Sequence, residues 1–180
     1  AELEYSEIDL AYELPNEGRF RVNISRQPRC HSIVLRVIPP EIRSFDALNL
    51  PGILRDLAGL RRGYVLVTGS TGMGKSTTLA ALIQEVNRTR KLKIVTIEDP
   101  IEFVFRHEKS VITQRELGTD TGSFPEALRG ALRQDPDVIM VGEMRDLETV
   151  DTSLKAAETG HVVFSSIHTS NGASTISRLV

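Results

Sequence analysis

The chain reads YVLVTGSTGMGKS from Tyr64 to Ser76, so an apolar run leads directly into a glycine-rich loop. Gly69 and the run Gly74–Ser76 satisfy the pattern G-x-x-x-x-G-K-[ST], in which the loop lies between a strand and a helix. The apolar residues before the loop predict a buried strand, and those after it recur at helical spacing. The stretch therefore predicts a phosphate-binding loop, which we term the P-loop.

The chemistry of this loop suits a polyphosphate. Glycines let backbone N–H groups approach an anion closely, and the following helix directs the positive end of its dipole to the same point. Lys75 adds a full charge for the β- and γ-phosphates, and the Ser76 hydroxyl is the predicted Mg²⁺ ligand. An ordinary glycine turn is the alternative. The residues predicted to bind the nucleotide are Ser70, Thr71, Gly72, Met73, Gly74, Lys75, Ser76 and Thr77.

The composition indicates a globular protein. A length of 180 residues with 40% hydrophobic residues allows one sizeable domain, or a small and a medium one. The formal net charge of -2 and the pI near 6.1 do not favour nucleic acid or an anionic membrane as a partner. Cys30 is the only cysteine, which excludes an intramolecular disulfide and a cysteine-cluster metal site and fits a reducing compartment.

No apolar run approaches the length of a membrane-spanning helix, and no signal-peptide pattern opens the chain. We therefore predict a cytoplasmic protein without direct membrane insertion. The chain begins with Ala1 inside an alternating stretch and ends at Val180 inside an apolar helical pattern. We expect it to be a fragment.

The N-terminal residues predict a sheet, because apolar and polar residues alternate over Phe20–Ile24 and a second apolar run covers Ile33–Ile38. Pro15–Gly18 predicts a turn between strands. The polar stretch that ends at Ser44 predicts a linker. The predicted domains are residues 1–44 and 45–180.

After residue 45, helical and strand patterns alternate, which is typical of a parallel sheet covered by helices. Ser123 and Glu126 form a capping box, Asp146 can cap the next helix, and Gly160 can end it. The predicted strands are 64–68, 94–97, 138–141 and 162–167. The side chains predicted to face the core from the helices are Leu79, Leu82, Ile83, Val86, Phe124, Ala127, Leu128, Ala131, Leu132, Leu147, Val150 and Leu154.

The run Val138–Val141 ends in Gly142-Glu143, as in a Walker B strand. Such a strand delivers its carboxylate to the C-terminal edge of the sheet, beside the P-loop. Glu143 is therefore a candidate to act on water or on a Mg²⁺-bound water. Short apolar runs that end in glutamate are common, so the interpretation of Val138–Glu143 as a Walker B strand depends on the P-loop earlier in the chain.

Three carboxylates, Glu98, Asp99 and Glu102, follow another predicted buried strand. Such clustering is costly unless the charges are solvated or face a cation. Their chemistry alone leaves two interpretations open, namely a cation-facing functional group and a solvated strand end with a turn at Pro100.

His161 and His168 bracket the last predicted strand. They lie near opposite ends of that strand and on opposite faces, so the strand cannot bring both to one phosphate. His168, at the C-terminal edge, is the candidate for sensing a γ-phosphate. Strand geometry makes His161 a capping or packing residue.

Four motifs resemble, in order and spacing, those of the hexameric secretion ATPases, the superfamily that drives type II secretion and type IV pili. The motifs are Gly69–Ser76, Glu98–Phe103, Gly142–Thr149 and Ala157–Thr169. The resemblance implies an α/β fold, in which a partial PAS-like α+β N-terminal domain precedes a partial RecA-like P-loop NTPase core. It also implies ATP and Mg²⁺ as ligands and assembly into a homo-hexamer.

Within the ATPase core, the resemblance makes Lys75 and Ser76 the phosphate and Mg²⁺ residues. It makes Glu102 the functional glutamate of an acidic box and Glu143 the Walker B glutamate.

The resemblance also assigns roles to residues whose own sequence pattern indicates no catalytic role. His161 and His168 match a histidine box, which gives His161 a catalytic role that strand geometry did not. Arg21 and Arg36 match two arginines that the N-terminal domain sends to the γ-phosphate, and they would otherwise be interpreted as solvated surface charges. Ser165-Ser166 replaces the usual glycine-threonine pair, which leaves the packing of the last strand open.

Gly142–Asp146 and Gln114–Glu116 look most similar to the pilus-retraction branch of the superfamily. We therefore expect a cytoplasmic hexameric motor that works on an inner-membrane pilus platform protein and lies at the membrane only through that machinery. The alternatives are a pilus assembly or type II secretion ATPase, a RecA-like nucleic-acid motor, and a regulatory module that no longer hydrolyses ATP. We predict no nucleic-acid partner.

Overall fold

The computed structural model describes residues 7–15, 17–38, 41–169 and 175. The chain splits into two compact units, Ala1–Glu41 and Ile42–Val180. The division predicted at residues 44 and 45 lies slightly later in the chain. Ile42 and Phe45 account for the difference, because both pack in the core of the second unit.

The first unit contains an antiparallel sheet in the strand order β1-β2-β3. The strands are β1 (Glu7–Leu14), β2 (Gly18–Arg26) and β3 (His31–Ile38). The predicted sheet is confirmed. In the predicted turn, the N–H of Glu17 donates to the carbonyl oxygen of Leu14 at 3.0 Å, while Asn16 lies outside the described residues. The PAS-like assignment stays a prediction, because the described residues of this unit show the sheet alone.

The second unit contains a parallel sheet in the order β4-β8-β7-β5-β6. The strands are β4 (Gly63–Thr68), β5 (Lys93–Glu98), β6 (Val111–Glu116), β7 (Val138–Val141) and β8 (Val162–Ile167). The helices are α1 (Ile53–Ala58), α2 (Lys75–Thr89), α3 (Phe124–Ala131) and α4 (Leu147–Glu158). The predicted alternation of strands and helices is confirmed, whereas the edge strand β6 was not predicted, since four of its six residues are polar.

Helices cover both faces of this sheet because consecutive strand residues point to opposite sides. Ile94 packs with the buried residues of α2, whereas its neighbour Val95 packs with those of α3 and α4. The same alternation separates Val138 from Ile139. The result is an α/β sandwich of three layers, with one apolar core on each side of the sheet. None of the described helices is long and apolar enough to cross a membrane.

Both predicted helix caps are present. The Ser123 hydroxyl accepts a hydrogen bond from the backbone N–H of Glu126 at 3.3 Å, and the Asp146 carboxylate accepts one from that of Thr149 at 2.8 Å. Each cap satisfies an N–H group that the first turn of the helix leaves without a partner. Gly160 follows the end of α4 with a positive φ of 113°, as predicted for a helix stop.

The inner face predicted for α4 is wrong at two positions, because Leu147 is 71% exposed and Leu154 is 36% exposed. The buried residues of this helix are Thr149, Val150, Ser153 and Ala156. Their small side chains let the helix lie close to the sheet, and the Ser153 hydroxyl is 2.9 Å from that of Tyr64 on β4. The periodic pattern predicted that the large apolar residues of α4 face the core. In the structure, smaller side chains occupy that face because the helix packs closely against the sheet.

The packing of α4 predicts different costs for two truncations. Val150→Ala should lower the free energy of unfolding by about 1–3 kcal/mol, because it removes buried methyl groups. Leu147→Ala should change it by less than about 0.5 kcal/mol, because the side chain is exposed. Urea unfolding followed by circular dichroism measures both, and a larger loss for Leu147→Ala would contradict the observed orientation of the helix.

Candidate active site

The carboxyl ends of β4, β5, β7 and β8 meet at one edge of the parallel sheet. The P-loop follows β4, the acidic run follows β5, Gly142-Glu143 follows β7, and His168 follows β8. Ligands of open α/β sheets bind at this edge. The topology therefore gathers motifs that are far apart in the sequence.

The P-loop needs glycine at Gly72 and Gly74, where φ is 81° and 84°. These left-handed conformations strain residues that carry a side chain. Gly74 directly precedes α2, so the free N–H groups of the first helical turn lie at the end of the loop. The loop and the helix together form an arrangement that favours an anion.

The ammonium group of Lys75 is buried at this point, since the residue is only 8% exposed. Its Nζ donates to the carbonyl oxygens of Gly69 and Ser70 at 2.9 and 3.1 Å. It also lies 3.3 Å from Nδ1 of His168. The structure thus brings the predicted phosphate-binding lysine and the predicted sensor histidine into direct contact.

A line of polar contacts continues from His168 to the acidic run. His168 Nε2 lies 3.3 Å from Oε2 of Glu143, and the other oxygen of Glu143 pairs with the guanidinium of Arg145. That guanidinium also donates to Asp99 at 2.6 Å. Sequence reasoning missed Arg145, because nothing in its spacing indicates that it joins the Walker B glutamate to the acidic run.

Ser76 and Glu102 lie beside this line, and both are exposed. The Ser76 hydroxyl donates to Oε1 of Glu102 at 3.3 Å. A hydroxyl and a carboxylate at a polyphosphate site suit Mg²⁺, which prefers oxygen ligands and keeps several waters. Within the described part of the chain, no group of three or more His, Cys, Asp or Glu side chains could hold a metal. Ser76 and Glu102 supply two oxygen donors, which fits an ion that is held jointly with the phosphates.

The three carboxylates of the acidic run have different environments. Glu98 is buried, Asp99 pairs with Arg145, and Glu102 is exposed beside the P-loop. The interpretation as a solvated strand end is therefore wrong for Glu98. Burial raises the pKa of Glu98 to about 7, although hydrogen bonds from Thr96, Gln114 and the Glu102 backbone oppose the shift.

His161 lies at the opposite end of β8 from His168. Its Nδ1 is 2.8 Å from the carbonyl oxygen of Ala156, and its own carbonyl oxygen accepts from the N–H of Gly63 at 3.1 Å. β8 separates the two histidines by about 20 Å, at ~3.3 Å per residue. His161 therefore lies away from the P-loop within its own chain, its contacts agree with the packing role that strand geometry indicated, and its catalytic role stays a prediction.

Arg21 and Arg36 lie directly opposite each other on β2 and β3 of the first unit. Paired residues of neighbouring strands share one face of the sheet. Two like charges in this position repel each other, which destabilises a sheet unless an anion or solvent screens them. The pair thus offers two guanidinium groups side by side.

The Ser165-Ser166 pair is accounted for by hydrogen bonds to the neighbouring strand. The Ser165 hydroxyl donates to the carbonyl oxygen of Val141 at 2.7 Å, and that of Ser166 donates to Gly142 at 2.6 Å. These bonds fix the end of β7 just before Glu143. The sequence left open how Ser165 and Ser166 pack in β8. Both side chains are small, and both hydroxyl groups have hydrogen-bond partners.

The family model described as "Type II/IV secretion system protein" matches residues 7–180. A twitching motility protein of Neisseria gonorrhoeae is 54% identical over 97% of this chain and 46% of its own length. A protein of Pseudomonas aeruginosa, named as a type IV pilus retraction ATPase, is 50% identical over 98% of this chain and 52% of its own. The chain thus spans about half the length of the curated relatives it matches.

The fold is similar to that of a crystal structure described as the pilus retraction motor PilT with bound ADP. The TM-score is 0.95 at 52% sequence identity, and the match covers 98% of this chain and 51% of that one. At this identity, the likeness extends beyond the general α/β topology.

The burial of Glu98 predicts a pH-dependent component of stability. Its pKa in the folded state is raised, so the folded state binds an extra proton between the ordinary value of 4.5 and about 7. The free energy of unfolding should therefore fall as the pH rises through this window, by at most about 3 kcal/mol from this group. Urea unfolding between pH 5 and pH 8 should give a smaller slope for Glu98→Gln, and an unchanged slope would contradict the assignment.

Proposed function

This chain belongs to the Type II/IV secretion system protein family, and we propose that it forms part of an ATP-hydrolysing motor that powers type IV pilus retraction. The observation that carries the proposal is the line of contacts Lys75–His168–Glu143 at the P-loop, because it joins a phosphate-binding group to a carboxylate that can act on water. The names of the relatives above support retraction as the work performed. Assembly or type II secretion is the alternative within the family.

In the proposed reaction, the buried Lys75 ammonium binds the β- and γ-phosphates, exchanging its contacts with loop carbonyls for charged oxygens. Backbone N–H groups of residues 70–77 complete the cradle. The Ser76 hydroxyl would hold Mg²⁺, which would neutralise charge on the phosphates. The chain thereby orients the terminal phosphate toward the carboxylates that follow β5 and β7.

Glu143 is proposed to orient the attacking water and to accept its proton. Arg145 and His168 hold its two carboxylate oxygens, so the group is aimed before the substrate arrives. His168 also touches Lys75, which makes it a suitable sensor of whether a γ-phosphate occupies the cradle. Glu102 is proposed to act beside the Ser76 hydroxyl, on the magnesium side.

Arg21 and Arg36 are proposed to supply positive charge to the γ-phosphate in the assembled protein. Their cross-strand position sets two positive charges against each other unless an anion or solvent screens them, and a planar guanidinium suits phosphate oxygens. Because they belong to a separate compact unit, hydrolysis would depend on the position of that unit. Nucleotide state could thus be converted into rigid-body movement.

The quaternary structure and the partners are part of the same proposal. We expect a homo-hexamer that works on an inner-membrane pilus platform protein from the cytoplasmic side. Of the catalytic residues predicted from the sequence, His161 is left out of this mechanism because it lies at the far end of β8. The two proposed domains follow the division between the sheet unit and the ATPase unit.

The first test replaces the proposed base. Glu143→Gln in the full-length protein should lower kcat for ATP at least 100-fold, because an amide cannot accept the proton of water. The dissociation constant for ATP should change less than about threefold, since the P-loop is intact. Asp151→Asn, at an exposed ion pair with Lys155, is the matched control and should leave both constants unchanged. Full turnover in Glu143→Gln would remove Glu143 from the mechanism.

The second test concerns the arginine pair. Arg21→Ala and Arg36→Ala should each lower kcat at least about tenfold, while nucleotide affinity changes less, because the charge they neutralise develops during phosphoryl transfer. Arg26→Ala, at the exposed end of β2, controls for the loss of a positive charge from the same sheet. Equal kcat in all three variants would count against a role of the pair in hydrolysis.

A further inference from the structure

We propose that three side chains at the ends of β5 and β6, Glu98, Gln114 and Glu116, position the carboxylate of Glu102 for ATP hydrolysis. We refer to them as the strand-end cluster. They are positioning residues, because they hold the chain on both sides of Glu102 and do not themselves face the P-loop hydroxyl. The inference rests on the ATPase activity proposed above, adds Gln114 and Glu116, to which the sequence gave no role in the reaction, and makes Glu98 a positioning residue.

The register of the sheet creates the cluster. Thr96 pairs with Gln114 and Glu98 pairs with Glu116 across the parallel strands β5 and β6. Residues two apart on a strand share a face, so these four polar side chains lie together at the carboxyl edge. Glu98 and Glu116 are 6% and 7% exposed. Acidic side chains are almost never buried to this degree without partners, so their hydrogen bonds require an explanation.

The partners of the cluster are backbone groups of the loop that follows β5. Residues 99–105 form no regular helix or strand, so their N–H and C=O groups have no ladder to join. Oε2 of Glu116 accepts from the N–H of Ile101 at 2.9 Å. The Glu98 carboxylate lies beside this backbone, since the Glu102 backbone helps to lower its pKa. The chain is thus held at residue 101, directly before Glu102.

Gln114 holds the other side of Glu102. Its Nε2 donates to the carbonyl oxygen of Phe103 at 2.9 Å, and its Oε1 accepts from the N–H of Phe105 at 2.8 Å. The same Nε2 reaches Oε1 of Glu98 at 3.1 Å. A carboxylate cannot donate and a thioether does neither well, so only an amide of this length makes all three contacts.

The cluster leaves one side chain of the loop directed at the P-loop. Ile101 and Phe105 are each only 8% exposed, which anchors the loop in the core on either side. Glu102 stands between them, exposed, and accepts from the Ser76 hydroxyl at 3.3 Å. Because the backbone on both sides is fixed, the carboxylate has a defined position before nucleotide binds, as electrostatic catalysis requires.

Steady-state ATP hydrolysis by the full-length protein tests the proposal first. Gln114→Met keeps the length of the side chain and removes the amide, and we expect kcat to fall tenfold or more while KM changes less than about threefold. Glu116→Gln retains an oxygen acceptor for Ile101 and should keep most of the activity that Glu116→Met loses. Thr113→Val, on β6 but facing the other side, is the matched control and should be within twofold of wild type.

The outcomes separate this inference from the function on which it rests. If the wild-type protein hydrolyses no ATP, the proposed function fails. If the wild type hydrolyses ATP and Gln114→Met matches it in kcat, the strand-end cluster has no positioning role. A fall in kcat that is accompanied by an equal rise in KM and a lower melting temperature would also overturn the proposal, since it would indicate general loss of structure.

Amide hydrogen exchange provides a readout that does not depend on activity. Gln114→Met should speed exchange of the Phe105 N–H at least tenfold and leave the Ile101 N–H protected, because a different side chain holds each. Glu116→Met should do the reverse. Unchanged exchange at both positions would contradict the contacts on which the inference depends.

Discussion

The buried ammonium group of Lys75 is the charge around which the ATPase unit is arranged. A buried cation is costly unless polar groups surround it. Two loop carbonyls and His168 surround the ammonium group, and the other ring nitrogen of His168 contacts Glu143. The loop carbonyls follow β4, His168 follows β8 and Glu143 follows β7, so the sheet order β4-β8-β7 is what makes the arrangement possible.

The same edge of the sheet carries two kinds of polar side chain. Lys75, Ser76, Glu102, Glu143 and His168 face the P-loop, whereas Glu98, Gln114 and Glu116 face the backbone of the acidic loop. The second set is largely buried, and its members hydrogen-bond one another, the neighbouring Thr96 and Thr119, and the loop backbone. Buried polar networks of this kind rigidify the groups they hold, which suits a site whose chemistry depends on preorganised charge.

The predictability of each feature follows from how local its cause is. The P-loop, the strand before it and the capped starts of α3 and α4 depend on residues close in the chain, and the sequence predicted them. The inner face of α4 depends on how closely the helix approaches Tyr64 on another strand, so periodicity misplaced Leu147 and Leu154. For His161, the contact with the Ala156 carbonyl agrees with the packing role that strand geometry indicated, and the catalytic role that the resemblance implies stays a prediction.

The burial of Glu98 and the role of Gln114 could not be predicted from spacing. Both depend on the register between β5 and β6. The edge strand β6 was itself not predicted, because its residues are mostly polar and show no apolar strand pattern. Arg145 likewise meets Asp99 only after β5 and β7 have paired. In each case the cause is a contact between strands that lie far apart in the sequence.

A structure of the full-length protein with a non-hydrolysable ATP analogue and Mg²⁺ tests the central claim most directly. We expect the β- and γ-phosphates at roughly 3 Å from Nζ of Lys75, with Mg²⁺ on the Ser76 hydroxyl and Glu143 facing the γ-phosphate. A nucleotide bound elsewhere, or a Lys75 ammonium that keeps its contacts with the Gly69 and Ser70 carbonyls while the phosphates lie apart from it, would contradict this site.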